Sequence, residues 1–405
     1  MKTLLILSGG FASVDAAKRA KELGYYVVVS DRDLQAPGFE YSDSRLMADP
    51  YSPDETAAAA ERFSRKIRKI DGAICLITDA SATIAAVAER LRLSGISNRL
   101  AALVTDKLAM RRHLLSAGLP TPWFSPAETV QTVQRIAIER GSNLSIRPVD
   151  GRGTRGVHRI SHVQDLGGAF GLARQHSPTQ RVMVEDHLEG PRVWAASIVT
   201  DGRCHVVGLA DRNNERLDRN DLLSIENGCD LPSSLPADAQ KKVKGLAADT
   251  AAALGVPNGP LKVEFVIHDG EPYVTDVALG LWGDLFCTRL LPLSTGVDYV
   301  GAAMKIAVGD LVSPEQLLAG QGVPVVQRNA FPRPGRVVRI SGEAEARKVA
   351  GVATVLVTVK PGDIVPPPQE GRGSGAKVVA TGQSGDVALA AAREALACIH
   401  IETVL

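Results

Sequence analysis

Two acidic residues on adjacent strands of one predicted hairpin are candidate ligands of a metal ion. Glu264 lies in an alternating apolar run at 261–268, and Asp276 lies in a second run at 272–277. The His-Asp-Gly turn between the runs predicts a β-hairpin, in which both carboxylates can share one face. A hard cation such as Mg²⁺ takes oxygen ligands of this kind, together with phosphate oxygens and water.

Two basic residues are placed where they can flank a triphosphate. Lys107 opens a predicted helix, and Arg147 ends a short predicted strand just before a glycine-rich loop. Together with Glu264 and Asp276, they indicate a magnesium-nucleotide site without a P-loop. A surface network of ion pairs is the alternative that these residues leave open.

The glycine-rich loop contains Gly151, Gly153, Thr154 and Gly156. Glycines allow backbone N–H groups to approach an anion closely, so the loop can cover phosphate groups. Its spacing is neither that of a Walker A loop nor that of a dinucleotide-binding loop. Taken alone, such a loop is more often a plain β-turn.

Strand and helix patterns alternate from the start of the chain to about residue 100, which predicts a parallel sheet covered on both faces. The strands are expected at 3–8, 25–30 and 72–77, and the helices at 14–23, 57–69 and 81–92. The ligand crevice of such a sheet lies beyond the carboxyl ends of its strands. The residues found there are Gly9, Gly10, Asp31 and Asp79.

The rest of the chain combines strands with further helices. A threonine cap at Thr105 is expected to precede a helix that ends at Ala117, and a long helix is expected at 236–254. From about residue 321, a Val-, Gly- and Pro-rich composition predicts a small, largely β third domain with a final helix. Residues 212–234 are polar and loop-like, which makes them a candidate lid or a solvated excursion.

Composition limits the classes of function. The chain has 405 residues, and its 46 Lys+Arg against 45 Asp+Glu give a net charge of +1, which favours neither nucleic acid nor anionic lipid as a partner. Its apolar runs are too short for a membrane helix or a signal peptide, so we expect a cytoplasmic protein. The five scattered cysteines predict reduced, mostly buried thiols and no zinc site.

Several motifs occur in the order that is typical of one superfamily. They lie at 36–39, 105–111, 118–122, 151–157, 184–190, 255–260, 293–298 and 334–362. With these motifs the chain resembles the ATP-grasp superfamily, and most of all its carboxylate-amine ligases of the L-amino-acid ligase type. Biotin carboxylase and carbamoyl phosphate synthase are more distant relatives.

The resemblance implies an α/β and α+β fold. An N-terminal parallel-sheet, Rossmann-like pre-ATP-grasp domain would span 1–104, two ATP-grasp lobes 105–315, and a small, mainly β C-terminal domain 316–405. It also implies ATP and Mg²⁺ as cofactors. A substrate carboxylate would attack the γ-phosphate to give an acyl phosphate, which an amine then displaces. The acid would be an amino acid or a small biosynthetic acid, and a homodimer is expected.

The residue patterns above and the resemblance together assign a role to each site residue. The nucleotide would be bound by Lys107, Arg147, Gly151, Gly153, Thr154, Gly156, Glu185, His187, Leu188 and Arg192. The metal would be bound by Glu264 and Asp276. The catalytic groups would be Arg147, Lys262 and Arg289, with Lys262 contacting the substrate carboxylate or the acyl phosphate. The substrate would be bound by Gly9, Gly10, Asp31, Asp79, Arg212, Glu226 and Asp284.

The chain departs from the superfamily's pattern at the nucleotide and metal site. Arg147 stands where a lysine is usual, and Arg192 stands where a ribose-binding glutamate is usual. The usual Glu-x-Asn-x-Arg reads Asp276, Ala278 and Gly280. Two alternatives to an active ligase therefore stay open. One is a catalytically degenerate protein that binds a ligand or a partner subunit, and the other is a kinase that stops at phosphorylation.

Overall fold

A four-stranded parallel sheet forms the first part of the fold, as the alternating pattern predicts. The computed structural model describes the whole chain except residues 77–79, 142, 152, 154, 161–164, 216–224, 283–284, 321, 368–372 and 405. The first elements are β1 (Thr3–Leu7), α1 (Phe11–Glu22), β2 (Tyr26–Asp31), β3 (Ser44–Met47), α2 (Pro53–Lys66), β4 (Gly72–Cys75) and α3 (Ser81–Leu91). The strand order is β3-β2-β1-β4, and β1 is buried along its whole length between the flanking helices.

Two consecutive helices lead from this sheet into the next segment, α4 (Asn98–Thr105) and α5 (Lys107–Ser116). The predicted threonine cap is wrong, because Thr105 is the last residue of α4. Asp106 caps α5 instead, and its side chain accepts a hydrogen bond from the backbone N–H of Ala109 at 2.9 Å. Both residue types favour N-caps, so the sequence alone did not discriminate between them.

A second, antiparallel sheet of four strands follows, with the order β5-β8-β6-β7. Its elements are β5 (Phe124–Ala127), α6 (Val130–Arg140), β6 (Leu144–Pro148), β7 (His158–Arg159), α7 (Leu166–Gln175) and β8 (Val182–Asp186). The glycine-rich loop connects β6 to β7, so strands flank it as predicted.

The largest sheet has eight strands in the order β13-β12-β9-β10-β11-β14-β18-β16. Its first part consists of β9 (Arg192–Thr200), β10 (Arg203–Glu215), β11 (Ile225–Leu231), α8 (Ala237–Leu254), β12 (Gly259–His268) and β13 (Glu271–Leu279). A π-helix at Phe286–Leu290, α9 (Leu291–Thr295) and α10 (Tyr299–Ala307) follow. The predicted hairpin is confirmed as β12 and β13.

The two faces of this sheet pack in different cores, because successive side chains of a strand point to opposite faces. On β9, Val193, Ala195 and Val199 join the core that contains residues of α8. Trp194, Ala196 and Ile198 join the core that contains residues of α10 and the π-helix. The second face therefore also carries Arg192, two residues before Trp194.

The stretch at 212–234 was expected to be a loop, and this expectation is wrong for most of its described part. Residues to Glu215 continue β10, and β11 begins at Ile225 and pairs with β10 in antiparallel fashion. The tip at 216–224 lies outside the described residues. These strand segments consist largely of polar residues, so no alternating hydrophobic pattern marks them in the sequence. Their stability depends on pairing with neighbouring strands.

The C-terminal segment extends the large sheet through β14, β18 and β16 and adds a three-stranded sheet ordered β17-β15-β19. Its elements are β14 (Val325–Ala330), β15 (Gly335–Ser341), α11 (Glu343–Ala346), β16 (Val352–Val357), β17 (Ile364–Val365), β18 (Ala376–Thr381), α12 (Gly385–Cys398) and β19 (His400–Val404). All five cysteines are free and three are buried, as predicted. Among the described helices, none has the length and apolar character that a membrane crossing requires.

Candidate active site

The two predicted carboxylates face each other across the β12–β13 hairpin. Glu264 pairs directly with Asp276, and a bulge follows at Thr275, whose hydroxyl donates to the Glu264 carbonyl at 3.1 Å. Like charges directly opposite each other in a sheet are destabilising unless cations compensate them. The cations around this pair therefore define the site.

Lys262 and Arg212 provide the compensation at Glu264. The Lys262 ammonium forms an ion pair with Glu264, and a guanidinium nitrogen of Arg212 lies 3.8 Å from the same carboxylate. Burial alone would raise the pKa of Glu264, but the charges of Lys262 and Arg212 outweigh it and lower this pKa to about 2. Glu264 is therefore ionised at neutral pH.

Asp276 is approached from the other side by Lys107. As the first residue of α5, Lys107 is only 8% exposed, and its ammonium lies 3.8 Å from Asp276 Oδ1. A predicted nucleotide-binding lysine and a predicted metal-binding carboxylate thus lie side by side, although 169 residues separate them in the sequence.

Glu185 on β8 binds two arginines at the same time. Arg147 on β6 and Arg111 on α5 each donate to it at 2.8 Å, and Arg111 also donates to the Thr275 carbonyl at 2.7 Å. Burial would raise the pKa of Glu185, but Arg147 and Arg111 outweigh it and lower this pKa. The sequence analysis missed Arg111, although it lies one helical turn after Lys107 and hence on the same side of α5.

The residues after Glu185 continue toward β9. A hydrogen bond of 2.9 Å joins His187 Nδ1 to the Ser145 hydroxyl, and Leu188 follows, partly buried. Burial, together with the charges of Arg159 and Arg192, lowers the pKa of His187 to about 4. His187 is therefore neutral at physiological pH.

Arg192 differs from the other basic residues of the site. Within the described part of the chain, its guanidinium has neither a hydrogen bond nor an ion pair. Burial lowers its pKa, and the charge of Arg212 lowers it further. Arg212 itself has an ion pair of 3.0 Å with Glu226, so the structure brings these two predicted substrate-binding residues together.

Two tryptophans complete the site, and the sequence analysis missed both. The Lys262 ammonium lies 4.8 Å from the ring centroid of Trp194 and 5.7 Å from that of Trp282. Both rings are largely buried, and neither indole N–H has a hydrogen-bond partner among the described residues. A signal for Trp194 was present, since it lies two residues after Arg192 on the same face of β9.

The described glycines of the loop between β6 and β7 have the conformations that a close backbone turn requires. Gly153 and Gly156 have φ angles of +60° and +71°. At Gly151, an added Cβ would lie 2.4 Å from the Pro148 ring. Thr154 lies outside the described residues.

Of the other predicted substrate residues, the structure describes Gly9, Gly10 and Asp31, which lie at the N-terminal sheet. The Gly9 N–H donates to Asp31 at 2.7 Å, and Gly10 precedes α1 as its N-cap. Arg289 was predicted to be catalytic, and its guanidinium binds Asp15 of α1 through two hydrogen bonds of 2.9 and 2.7 Å. Asp79 and Asp284 lie outside the described residues.

Two families match the chain. Residues 106–314, just over half of it, match the family described as carbamoyl-phosphate synthase L chain, ATP binding domain. Residues 330–404 match L-amino acid ligase C-terminal domain 2.

Curated relatives share about a quarter of the aligned residues. An uncharacterized protein, y4rH, of Sinorhizobium fredii is 26% identical over 286 residues, which cover 69% of this chain and 57% of that protein. The carbamoyl phosphate synthase large chain of Pseudothermotoga lettingae is 23% identical over 312 residues, which cover 75% of this chain and 27% of that protein. The chain thus spans little more than half of the first relative and about a quarter of the second.

A solved structure shows the same fold over the full length. The L-amino acid ligase of Bacillus licheniformis superposes with a TM-score of 0.84 at 20% sequence identity, covering 100% of this chain and 99% of that one. This similarity extends across all the sheets described above.

Proposed function

Since the chain belongs to the ATP-grasp superfamily, we propose that it is an ATP-dependent carboxylate-amine ligase acting on an amino acid or a small biosynthetic acid. The observation that carries the proposal is the Glu264–Asp276 pair with Lys107 on one side and Lys262 on the other. Two carboxylates and two lysines this close together are suited to a nucleotide that carries its charge on phosphates. In the proposed arrangement, residues 105–315 clamp the nucleotide, and residues 316–405 close the substrate side.

The site residues fit a divalent cation of the kind that Mg²⁺ represents. Glu264 and Asp276 would hold it, since both are oxygen donors on one face of the hairpin and Glu264 is ionised. Ala278 follows on the same strand and offers no ligand, so phosphate oxygens and water would complete the coordination. When bound, the cation would neutralise charge on the phosphates.

The chain's own residues would position the reactants. Lys107 and Arg147 would bind phosphate groups, with Glu185 holding the Arg147 guanidinium in place. The glycine-rich loop would cover the phosphates, and His187 and Leu188 would line the nucleotide's base. Positioning and fixed charges of this kind are the main means of catalysing phosphoryl transfer.

Lys262 is suited to the acid substrate. Its ammonium is held between Glu264 and the faces of Trp194 and Trp282, so its position is set before substrate arrives. A carboxylate oxygen of the acid would attack the γ-phosphorus, and the bond from that phosphorus to ADP would break. The amine would then attack the acyl carbon, lose a proton and release phosphate. Lys262 would stabilise the negative charge on the acyl phosphate.

The first test measures ADP release from ATP and Mg²⁺ in the presence of acid-amine pairs, with detection of the joined product. Asp276→Asn should abolish ADP release and leave the fold intact. The matched control is Asp269→Asn, because Asp269 is an exposed carboxylate at the turn of the same hairpin. Equal turnover by both variants would refute the proposed site.

A degenerate binding protein is the second candidate, and Ala278 is the observation in its favour. Ala278 pairs with Lys262 across the hairpin, at a position where the superfamily's pattern has an oxygen ligand. This candidate predicts that ATP raises the melting temperature while no acid-amine pair releases ADP. ADP release without a joined product would instead identify a kinase.

A further inference from the structure

Among the described residues of the site, the basic groups outnumber the acidic groups. The basic groups are Lys107, Arg111, Arg147, Arg192, Arg212 and Lys262, and the acidic groups are Glu185, Glu226, Glu264 and Asp276. These described residues leave a surplus of two positive charges among side chains that are mostly buried. Buried charge without compensation is costly, so the surplus indicates a ligand with negative charge.

The surplus positive charge lies at Arg192 and Arg212, on the neighbouring strands β9 and β10. In the register of β9 and β10, Trp194 pairs with Ala210 and Val193 pairs with Asp211. Extended by one residue on each strand, this register aligns Arg212 with Arg192, on the face of the sheet that carries Glu264. Like charges directly opposite each other across a sheet are destabilising.

The two arginines differ in what already neutralises them. Arg212 has an ion pair with Glu226 and lies 3.8 Å from Glu264, while one of its buried N–H groups, at Nε, has no acceptor among the described residues. Arg192 has no partner in the same part of the chain, and of the charges around it Arg212 has the largest effect. Both guanidinium groups thus have N–H donors without an acceptor among the described residues.

We propose that Arg192 and Arg212 form an oxyanion subsite, which binds a phosphate or carboxylate group of the ligand directly, without a divalent cation between them. A planar guanidinium presents paired N–H donors that match two oxygens of one such group. The inference rests on the proposed function only in taking the ligand of this site to be an oxyanion. It adds that the two arginine side chains neutralise the oxyanion at this position, which is the role of a metal ion in many nucleotide sites.

The experiment measures, by calorimetry in the presence of EDTA, the binding of inorganic tripolyphosphate and, separately, of glutarate as a dicarboxylate probe. The wild-type protein should bind at least one of the two probes, and Arg192→Gln should weaken that binding about tenfold to a hundredfold, as loss of hydrogen bonds to a charged group does. Arg192→Lys keeps the positive charge but loses the paired N–H donors of the guanidinium. Its affinity should therefore lie between those of the wild type and Arg192→Gln. Arg135→Gln removes an equal charge from the exposed surface of α6 and should bind as the wild type does.

A second measurement separates ligand binding from a structural role. Without ligand, Arg192→Gln should melt at the wild-type temperature or above it, because the change removes a charge that faces Arg212. A lower melting temperature of this variant, with unchanged binding of both tripolyphosphate and glutarate, would overturn the proposal. Absence of binding to the wild type in EDTA, for both tripolyphosphate and glutarate, would also overturn it.

The two probes identify the source of the oxyanion. Arg192-dependent binding of tripolyphosphate assigns the subsite to the nucleotide, and Arg192-dependent binding of glutarate assigns it to the acid substrate. Either result supports the subsite. The outcome is separable from the proposed function, since ADP release with Mg²⁺ can persist when binding in EDTA fails, and binding in EDTA can persist when ADP release fails.

Discussion

Arg111 Nη2 donates to Glu185 at 2.8 Å, although 74 residues separate the two in the sequence. The Arg111 side chain is 1% exposed, and its second contact, to the Thr275 carbonyl, joins α5 to both sheets that border the site. This buried ion pair connects three elements at the point where the proposed nucleotide groups converge.

Arg111→Met should lower the free energy of unfolding by about 3 kcal/mol, because it leaves a buried carboxylate with one cation in place of two. Glu185 keeps its contact with Arg147, so the loss should lie near the lower end of what broken buried pairs cost. Chemical denaturation measures the effect. The control Arg135→Met breaks an exposed pair on α6 and should change stability by about 0.5 kcal/mol or less. Equal losses in both variants would contradict the prediction.

Glu264 should make stability depend on pH in the acid range. Its pKa in the folded protein is about 2, against an ordinary value of 4.5. The folded state therefore favours the ionised carboxylate more strongly than the unfolded chain does. The stabilisation is complete above pH 4.5 and is lost as the pH falls toward 2, since the unfolded chain binds the proton first. Glu264→Gln should flatten the stability profile in this window, whereas Glu139→Gln on exposed α6 should not. A wild-type slope retained in Glu264→Gln would disprove this origin.

His187 should titrate well below the usual range of histidine. Burial is the main reason that its pKa is lowered from 6.5 to about 4, so the folded protein disfavours the charged imidazole. Because the unfolded chain then binds more protons between pH 6.5 and 4, His187 lowers stability as the pH falls through this window. NMR titration of the ring C–H signals should give a midpoint near 4, and the same signals in urea should return to the usual range. A folded-state midpoint near 6.5 would be inconsistent with this environment.

Gly190, which connects β8 to β9, should not accept a side chain. Its φ angle is +138°, and an added Cβ would lie 1.9 Å from the Ile267 carbonyl oxygen, a backbone atom that cannot move aside. Gly190→Ala should therefore destabilise the fold by about 2 kcal/mol or more. Gly171→Ala is the matched control, because Gly171 lies in α7 with open space around it and should gain about 1 kcal/mol. A neutral effect of Gly190→Ala in thermal unfolding would count against the close approach.

Local patterns in the sequence determined much of the fold. The alternating apolar residues of β12 and β13 and the Asp-Gly turn between them predicted the hairpin. Because side chains along a strand alternate between the two faces of a sheet, Glu264 and Asp276 were then expected on one face. The alternation of strands and helices predicted the parallel N-terminal sheet. These features depend on residues close together in the chain, so a single sequence carries them. The same reasoning failed at β10 and β11, because polar strands owe their structure to the neighbours with which they pair.

Only the tertiary structure decided which charges meet. The contact of Lys107 with Asp276, the two arginines on Glu185 and the position of Arg212 opposite Arg192 depend on sheet order and strand register. Neither can be read from local patterns, because the strands that become neighbours are far apart in the chain. The sequence by itself therefore determined the types of group that the site contains and the face on which the carboxylates lie. Long-range packing alone determined which carboxylates are already neutralised and which arginine still has no acceptor among the described residues.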